Sequence, residues 1–216
     1  CHLALISKDP IMLTLHDDPI SGNGFKIRLL LAFMGTPYHY NAYDILKGET
    51  HTPEFLSTIN PGGRIPVLEL DDGRRLVESN AVLTYLAEGT SWIPSDPFTK
   101  AQMMSWLFWE QYSHEPNIAT LRFWKHLPEL SDVQKAQLLS KRSAGEAALA
   151  LMEMQLSHTD WLVGNGPTLA DIALYAYTHV AEEGDYDLSS YPAVQAWISR
   201  IAALPNYVSI TDKDRD

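Results

Sequence analysis

The sequence predicts a small mixed α/β domain followed by an all-α domain, and three observations carry that expectation. Up to Gly89, strand-like alternation and helix-like spacing take turns in the order β-α-β, a connecting segment, then β-β-α. Trp92-Ile93-Pro94-Ser95-Asp96-Pro97 then sets two prolines where regular structure would have to run, which marks a linker. Beyond it, the periodic segments have helical spacing.

Met12–His16 reads as the first strand, with a loop through Gly22 after it. Phe25, Leu29, Ala32 and Phe33 recur at i, i+4, i+7 and i+8, a helix stripe that Gly35 and Pro37 stop. Tyr38–Tyr43 alternates as a second strand would, and Pro53–Ile59 reads as a short helix. Pro66–Leu70 and Arg74–Val77 are strands joined by Asp71-Asp72-Gly73, a hairpin signal. Ser79–Glu88 is expected to be a helix with Ser79 as its N-cap and Gly89 as its stop. A right-handed crossover makes the first two strands parallel, and the hairpin adds an antiparallel pair. The expected result is a four-stranded mixed sheet with helices on both faces, the thioredoxin-like arrangement.

Past the linker, Ala101–His114 is rich in Trp, Met and Phe, and Glu110 with His114 at i+4 reads as a helix-surface pair. Ser131-Asp132-Val133-Gln134 is a capping box, opening a helix with Leu138, Leu149, Met152 and Leu156 on one face. Thr168-Leu169-Ala170-Asp171 is a second cap signal with an acid at N3, read as structural. Pro192–Ala203 closes the series with Val194, Trp197, Ile198 and Ile201 at core spacing.

Composition narrows the function classes. A chain of 216 residues can bury a full core without disulfides or metals. A net charge of −11 argues against a nucleic-acid surface. The one cysteine, Cys1, permits neither a disulfide framework nor a Cys-x-x-Cys pair within the chain, in keeping with a reducing cytoplasm. No apolar run approaches a membrane span, and the first residues lack the basic-then-apolar order of a signal peptide. Residues 1–11 read as a leader or tag-like extension ahead of Met12. No metal site is expected, since His126, His158 and His179 have no ligand partner at binding spacing.

The most informative stretch is Asn60-Pro61-Gly62-Gly63-Arg64-Ile65-Pro66-Val67-Leu68, followed by Leu76-Val77-Glu78-Ser79-Asn80-Ala81-Val82. A proline at the mouth of an apolar strand cannot supply a ladder hydrogen bond. It reads as a special turn that leaves the backbone of Ile65 available to a ligand. Glu78-Ser79 offers a carboxylate, a hydroxyl and free helix N–H groups. Such a site suits an amino acid-like ligand, with its ammonium on Glu78 and its carboxylate on the helix N-terminus.

These residues resemble the glutathione site of the glutathione transferases, and the resemblance runs from about Met12 to Tyr207. Gly164-Asn165-Gly166-Pro167-Thr168-Leu169-Ala170-Asp171-Ile172-Ala173 is similar to the family's buried helix start. The resemblance implies a thioredoxin-like glutathione-binding domain over 12–89, a linker over 90–98 and an all-helical domain over 99–212, in a homodimer. It implies a cis Pro66, backbone hydrogen bonds from Ile65 to the cysteinyl part of glutathione, and Glu78 with Ser79 on the γ-glutamyl end. Arg64, with Lys47 or His51, would meet the glycyl carboxylate. Glutathione is then the co-substrate, and no metal is needed.

The family's central act is to ionise the glutathione thiol. A free thiol has a pKa of about 8.5, and lowering it by two units takes about 2.7 kcal/mol. A helix N-terminus supplies up to roughly 2 kcal/mol, and a hydrogen bond to a charged acceptor about 1.5–3 kcal/mol. Ser21-Gly22-Asn23-Gly24-Phe25-Lys26 holds the parts at a loop-to-helix junction: the Ser21 hydroxyl, the Asn23 amide, and Gly24 for close approach. The helix N-terminus and such a hydrogen bond together suffice; which of Ser21 and Asn23 dominates stays open, and both would also serve as plain helix caps. The segment resembles the serine-type and Thr/Asn-type (theta- and nu-like) bacterial transferases. It has neither the early tyrosine of the tyrosine-type enzymes nor the active-site cysteine of the cysteine-type ones. The thiolate would attack a hydrophobic electrophile between the domains, with Phe108, Tyr112, Arg122, Phe123 and Trp124 as candidates for the acceptor wall. A glutathione-dependent disulfide or peroxide reductase on the same scaffold is the first alternative, and a non-catalytic binding or regulatory protein the second.

Overall fold

The computed structural model describes residues 12–212, so the expected leader, residues 1–11, lies outside the described residues. Strand β1 (Leu13–Asp17) leads into helix α1 (Gly22–Met34), which ends on Gly35 in the left-handed conformation (φ 64°). β2 (Tyr38–Ala42) and a short helix α2 (Pro53–Thr58) follow. β3 (Val67–Glu69), β4 (Arg75–Leu76) and α3 (Ser79–Leu86) complete the first half. The sheet has four strands in the order β2-β1-β3-β4. β1 runs parallel to β2, with Leu15 opposite Tyr40, and antiparallel to β3, with His16 opposite Val67. The mixed sheet and the thioredoxin-like arrangement are therefore as expected.

The second half is helical: α4 (Pro97–Trp109), α5 (Glu115–Trp124), α6 (Asp132–Leu156), α7 (Leu169–Thr178) and α8 (Pro192–Ala202). Both expected capping boxes are present. Ser131 and Gln134 satisfy each other's backbone at the start of α6, and Thr168 and Asp171 do so at the start of α7. Among the described residues no helix is long and apolar enough to cross a membrane.

α1 ties the halves together because it is buried on every side. Ile27 and Leu31 pack on the sheet with Leu13, Leu15, Leu68 and Val82. Phe25, Leu29 and Leu30 face the other way, into a core shared with Leu83, Met103, Leu174 and Trp197. Each such side chain contributes about 1.5–3 kcal/mol by leaving water. The N-terminal end of α1 is thereby fixed against both halves of the chain at once.

Two local expectations are overturned. Ser79 is not the N-cap of α3 but the first residue inside it. The cap position falls to Glu78, at φ 69°, whose side chain bonds no helix N–H. The reason is that the Ser79 hydroxyl is drawn inward, to Asn23 and Lys26. Glu110 and His114 are not a surface pair either, for both are fully buried. They lie in a π-helical turn, Glu110–His114, closed by a hydrogen bond from the Glu115 N–H to the Glu110 carbonyl. Pro116 lacks the N–H that would bond the Tyr112 carbonyl in an ordinary α-helix, so the ladder slips there. The slip turns Glu110 and His114 into the core.

Candidate functional site

Three backbone segments meet at the N-terminal end of α1. Ser21 caps the helix, its Oγ accepting from the Gly24 N–H at 3.2 Å. Two glycines let the turn sit close to its neighbours. A Cβ on Gly22 would overlap the Tyr177 ring, and one on Gly24 would overlap the Asp17 carboxylate. The Asn23 N–H donates to the Tyr177 hydroxyl at 3.2 Å, so α7 also holds this turn.

The second segment is the Ile65–Pro66 peptide bond, which is cis, as the resemblance implied. The pairing of His16 with Val67 sets Pro66 beside the end of β1, where the chain leaves for Ser21. The Ile65 backbone makes no hydrogen bond to another backbone group among the described residues. The third segment is Glu78-Ser79 at the start of α3. Glu78 is exposed in its left-handed conformation, and the Ser79 Oγ donates to Asn23 Oδ1 at 3.0 Å.

Beneath these segments lies a polar network that joins the halves of the chain. Lys26 is fully buried, and its Nζ donates to both Glu110 carboxylate oxygens at 3.0 Å and to Ser79 Oγ at 3.3 Å. Glu110 also accepts from Asn80 Nδ2 at 3.1 Å and from Gln111 Nε2 at 2.8 Å. Asn23 Nδ2 donates to Glu115 Oε1 at 2.8 Å. Burial and the Lys26 charge push the His114 pKa down to about 3, so the imidazole is neutral, bonded to Thr178 at 2.9 Å. Burial, helped by the Glu115 and Glu110 charges, raises the Tyr177 pKa and keeps its phenol protonated. Burial lifts the carboxyl of Asp17 to about 7, against the pull of Arg28 at 3.3 Å.

Residues 12–88 match the N-terminal domain of glutathione S-transferase, and residues 102–205 match its C-terminal domain. The chain belongs to the glutathione S-transferase family. It is 48% identical to a glutathione S-transferase of Pseudomonas fluorescens Pf-5 whose crystal structure superposes with a TM-score of 0.88, covering 93% of this chain and 99% of that one. It is 29% identical to the disulfide-bond oxidoreductase YfcG of Escherichia coli K12, over 90% of this chain and 92% of YfcG. Ure2p in complex with S-hexylglutathione is 25% identical, with a TM-score of 0.79 over 90% of this chain and 95% of that one.

Within this family member the expected site residues divide into groups. Ser21, Asn23, Ile65, Pro66, Glu78 and Ser79 are brought together as described. His51 and Arg64 belong to one neighbourhood, because the His51 imidazole lies against Gly63. Lys47 is exposed and paired with Asp44 at 2.9 Å. Phe108 and Tyr112 are largely exposed on the helical stretch that also carries Gln111 and Glu115. Arg122 is buried and spent on the Ile20 carbonyl at 2.7 Å and on Glu183 at 2.6 Å, so it clamps the loop ahead of Ser21. Phe123 is half-buried. Trp124 packs into the helical cluster of Ile118, Leu121 and Leu149, under the Lys141 ammonium. A cavity of about 790 Å³ opens elsewhere, between the far end of α1, β2 and Val208, and takes no part in this site. Among the described residues no group of three or more His, Cys, Asp or Glu is placed to hold a metal ion.

Sequence reasoning missed Lys26, Glu110, Glu115 and Tyr177. A signal for Lys26 was there. It stands in Phe25-Lys26-Ile27-Arg28-Leu29-Leu30-Leu31, a stretch too apolar to leave a charge facing water, and a buried ammonium requires a partner.

Proposed function

We propose that the chain is a glutathione transferase that binds reduced glutathione, stabilises its thiolate at the start of α1 and directs it at a hydrophobic electrophile. The observation that carries this reading is the convergence of the cis Ile65–Pro66 bond, exposed Glu78 and the N-terminus of α1 within one family fold. In this reading Glu78 takes the γ-glutamyl ammonium, and the first N–H groups of α3 take the carboxylate beside it. The Ile65 backbone pairs with the cysteinyl part. Arg64 with His51 meets the glycyl carboxylate, and Lys47 adds charge from the rim. The tripeptide so held sets its sulfur over Ser21 and Asn23.

At the sulfur, the Ser21 hydroxyl has an oxygen that already accepts from Gly24 and a proton left to donate. The Asn23 amide and the dipole of α1 add to it. The thiol proton leaves to solvent. The thiolate then forms a bond to an electrophilic carbon while the leaving group departs with its electron pair. Phe108 and Tyr112 supply an apolar wall for that partner. The homodimer and the cytoplasmic setting belong to the same reading. Val77, Tyr85 and Phe98 leave large apolar side chains exposed on one chain, and light scattering tests the oligomeric state.

Calorimetry with reduced glutathione and ultraviolet titration of the bound thiol test the core of the proposal. Ser21→Ala and Asn23→Ala are expected to raise the thiol pKa, and an unchanged value in both would reject these roles. Glu78→Ala is expected to weaken glutathione binding, since the ligand's ammonium loses its partner.

The likeness to YfcG favours one second reading, glutathione-dependent reduction of disulfides or peroxides. There the same thiolate attacks a disulfide sulfur and expels a thiolate, or attacks a peroxide oxygen and expels an alkoxide or hydroxide, and a second glutathione completes the reduction as glutathione disulfide leaves. Turnover of a mixed disulfide with none of an aryl halide selects this reading. Tight glutathione binding without turnover of either substrate selects a non-catalytic role.

A further inference from the structure

We propose that Lys26 is a positioning residue for the thiolate site: its ammonium sets which end of the Asn23 side-chain amide faces the glutathione sulfur. The proposal rests on the thiolate reading above and deepens it.

A buried ion pair is a weak device for stability, because desolvation offsets most of its attraction. α1 already joins the two halves with Phe25, Leu29 and Leu30. The Lys26–Glu110 pair has another consequence, which follows from donor and acceptor counting. The ammonium has three protons and no lone pair. Glu110 takes it with both oxygens at 3.0 Å, and the remaining proton lies towards α3, where Ser79 Oγ accepts at 3.3 Å and Asn80 Oδ1 more distantly at 3.5 Å. A hydroxyl that accepts from an ammonium points its one proton away from it. The Ser79 proton goes to Asn23 Oδ1 at 3.0 Å. With Oδ1 committed there, Nδ2 lies on the other side and donates to Glu115 Oε1 at 2.8 Å. The second N–H of Asn23 has no acceptor among the described residues, and it is the group offered to the sulfur.

Turned over, the same amide would set its oxygen against the Glu115 carboxylate. It would also set an N–H against the Ser79 proton, which the Lys26 ammonium on the other side of that oxygen turns towards Asn23. Both ends of the amide are thus fixed by charge, Lys26 acting through Ser79 and Glu115 acting directly. The sense matters for the chemistry, because an amide oxygen facing a thiolate repels it and an N–H stabilises it. The ionisable groups around Lys26 are Glu110, Glu115 and neutral His114 on the α4–α5 stretch, and protonated Tyr177 on α7. α3 contributes only neutral Ser79 and Asn80. Lys26 is therefore the cation that balances two carboxylates next to the sulfur.

The test is the double variant Lys26→Met/Glu110→Gln, which removes both members of the fully buried pair together, leaves only the partly exposed Glu115 carboxylate and keeps an acceptor for Asn80. It is expected to fold and to bind glutathione within about threefold of wild type, because Glu78, the Ile65 backbone and the first N–H groups of α3 make no hydrogen bond to either changed side chain. The thiol of bound glutathione, read by thiolate absorbance, is expected to titrate about one unit higher. The pH profile of kcat/KM should move by the same amount. Ser79→Ala keeps the ion pair and the backbone N–H but breaks the relay, and it is expected to shift the thiol in the same direction. A wild-type thiol pKa in either variant overturns the role of Lys26. Wild-type protein is measured alongside. If its bound glutathione titrates like free glutathione, the thiolate reading falls and this proposal falls with it. A shifted wild type with an equally shifted variant overturns Lys26 alone.

Discussion

Two helix starts in this molecule, those of α1 and α7, use similar residues to opposite ends. Each has a hydroxyl cap, Ser21 or Thr168, and each sits on a buried carboxylate, Asp17 or Asp171. At α7 the polar valences are spent inside the protein. Asp171 accepts from the Leu162 N–H at 3.0 Å, the Thr168 N–H at 2.8 Å, the Thr168 hydroxyl at 3.2 Å and Trp197 Nε1 at 2.9 Å. At α1 they are not. Among the described residues Asp17 Oδ1 has no hydrogen-bond partner, there is no acid in the first turn of the helix, and Ser21 Oγ only accepts. A helix start that is satisfied internally holds the fold together. One with capacity left over has something to offer a ligand, and it tolerates a polar atom without a partner to do so.

The largest effect should come from breaking the satisfied start. Asp171→Ala leaves the Leu162 and Thr168 N–H groups and the Trp197 indole N–H buried without acceptors. The expected loss is about 3–5 kcal/mol of stability, read by urea denaturation. Glutathione affinity of whatever fraction stays folded should be unchanged. A matching loss of affinity would mean that the two helix starts are not separable.

The unsatisfied start should announce itself in pH dependence. The folded-state pKa of Asp17 lies at about 7, above its ordinary 3.8. Its contribution to stability is therefore complete below about pH 4 and is lost as pH rises through 7. His114 and His179, pushed down by burial to about 3 and about 4, act in the opposite sense. Their contribution is complete above 6.5 and is lost as pH falls. In wild type the single Asp17 trend offsets about half of the two-histidine trend between pH 4 and 6.5. Asp17→Asn should remove the first and steepen the climb of stability with pH across that window by a few kcal/mol. An unaltered profile would mean that Asp17 carries its charge in the folded state at ordinary cost.

How far the sequence foretold all this depends on the range of each interaction. The order of elements along the chain, the caps at Ser131 and Thr168 and the special turn at Pro66 rest on patterns a few residues long, and such patterns survive folding. The Ser79 cap was misjudged because its hydroxyl answers to Lys26 and Asn23, which lie on another helix and carry no periodic signal. Glu110 and His114 looked like a surface pair because i+4 spacing assumes an unbroken α-helix, which Pro116 prevents. The pairing of Lys26 with Glu110 spans 84 positions, and that of Asn23 with Glu115 spans 92. A buried charge could be inferred at Lys26, but its partner could not be named. The acceptor wall was overdrawn for the same reason. Arg122 and Trp124 look like neighbours of a pocket in sequence, yet one clamps the Ile20 carbonyl and the other packs against α6.

A smaller and more even-handed comparison removes each cap in turn. Ser21→Ala and Thr168→Ala should both cost about 0.5–2 kcal/mol, the ordinary worth of an N-cap. Only Ser21→Ala should also raise the thiol pKa of bound glutathione. Equal thiol pKa values in the two variants would reduce Ser21 to a cap like the other.

The smallest change in stability is expected at Glu78, and its sign is the informative part. A non-glycine residue at φ 69° and ψ 107° lies outside the regions that side chains favour, at a cost of order 1–3 kcal/mol. Its side chain is exposed and caps nothing, so among the described residues no side-chain hydrogen bond to the helix offsets that cost. Glu78→Gly should relieve the backbone and raise stability by about 0.5–1 kcal/mol, after the greater freedom of glycine in the unfolded chain is allowed for. The same variant should lose at least tenfold in glutathione affinity, because the ligand's ammonium is left without a carboxylate. Glu78→Ala should lose the same affinity without the gain in stability, since alanine keeps a Cβ in the strained conformation. A residue whose removal stabilises the protein while disabling its ligand is held in place by function. If Glu78→Gly proves less stable than wild type, Glu78 belongs with Asp171, among the residues that hold the fold.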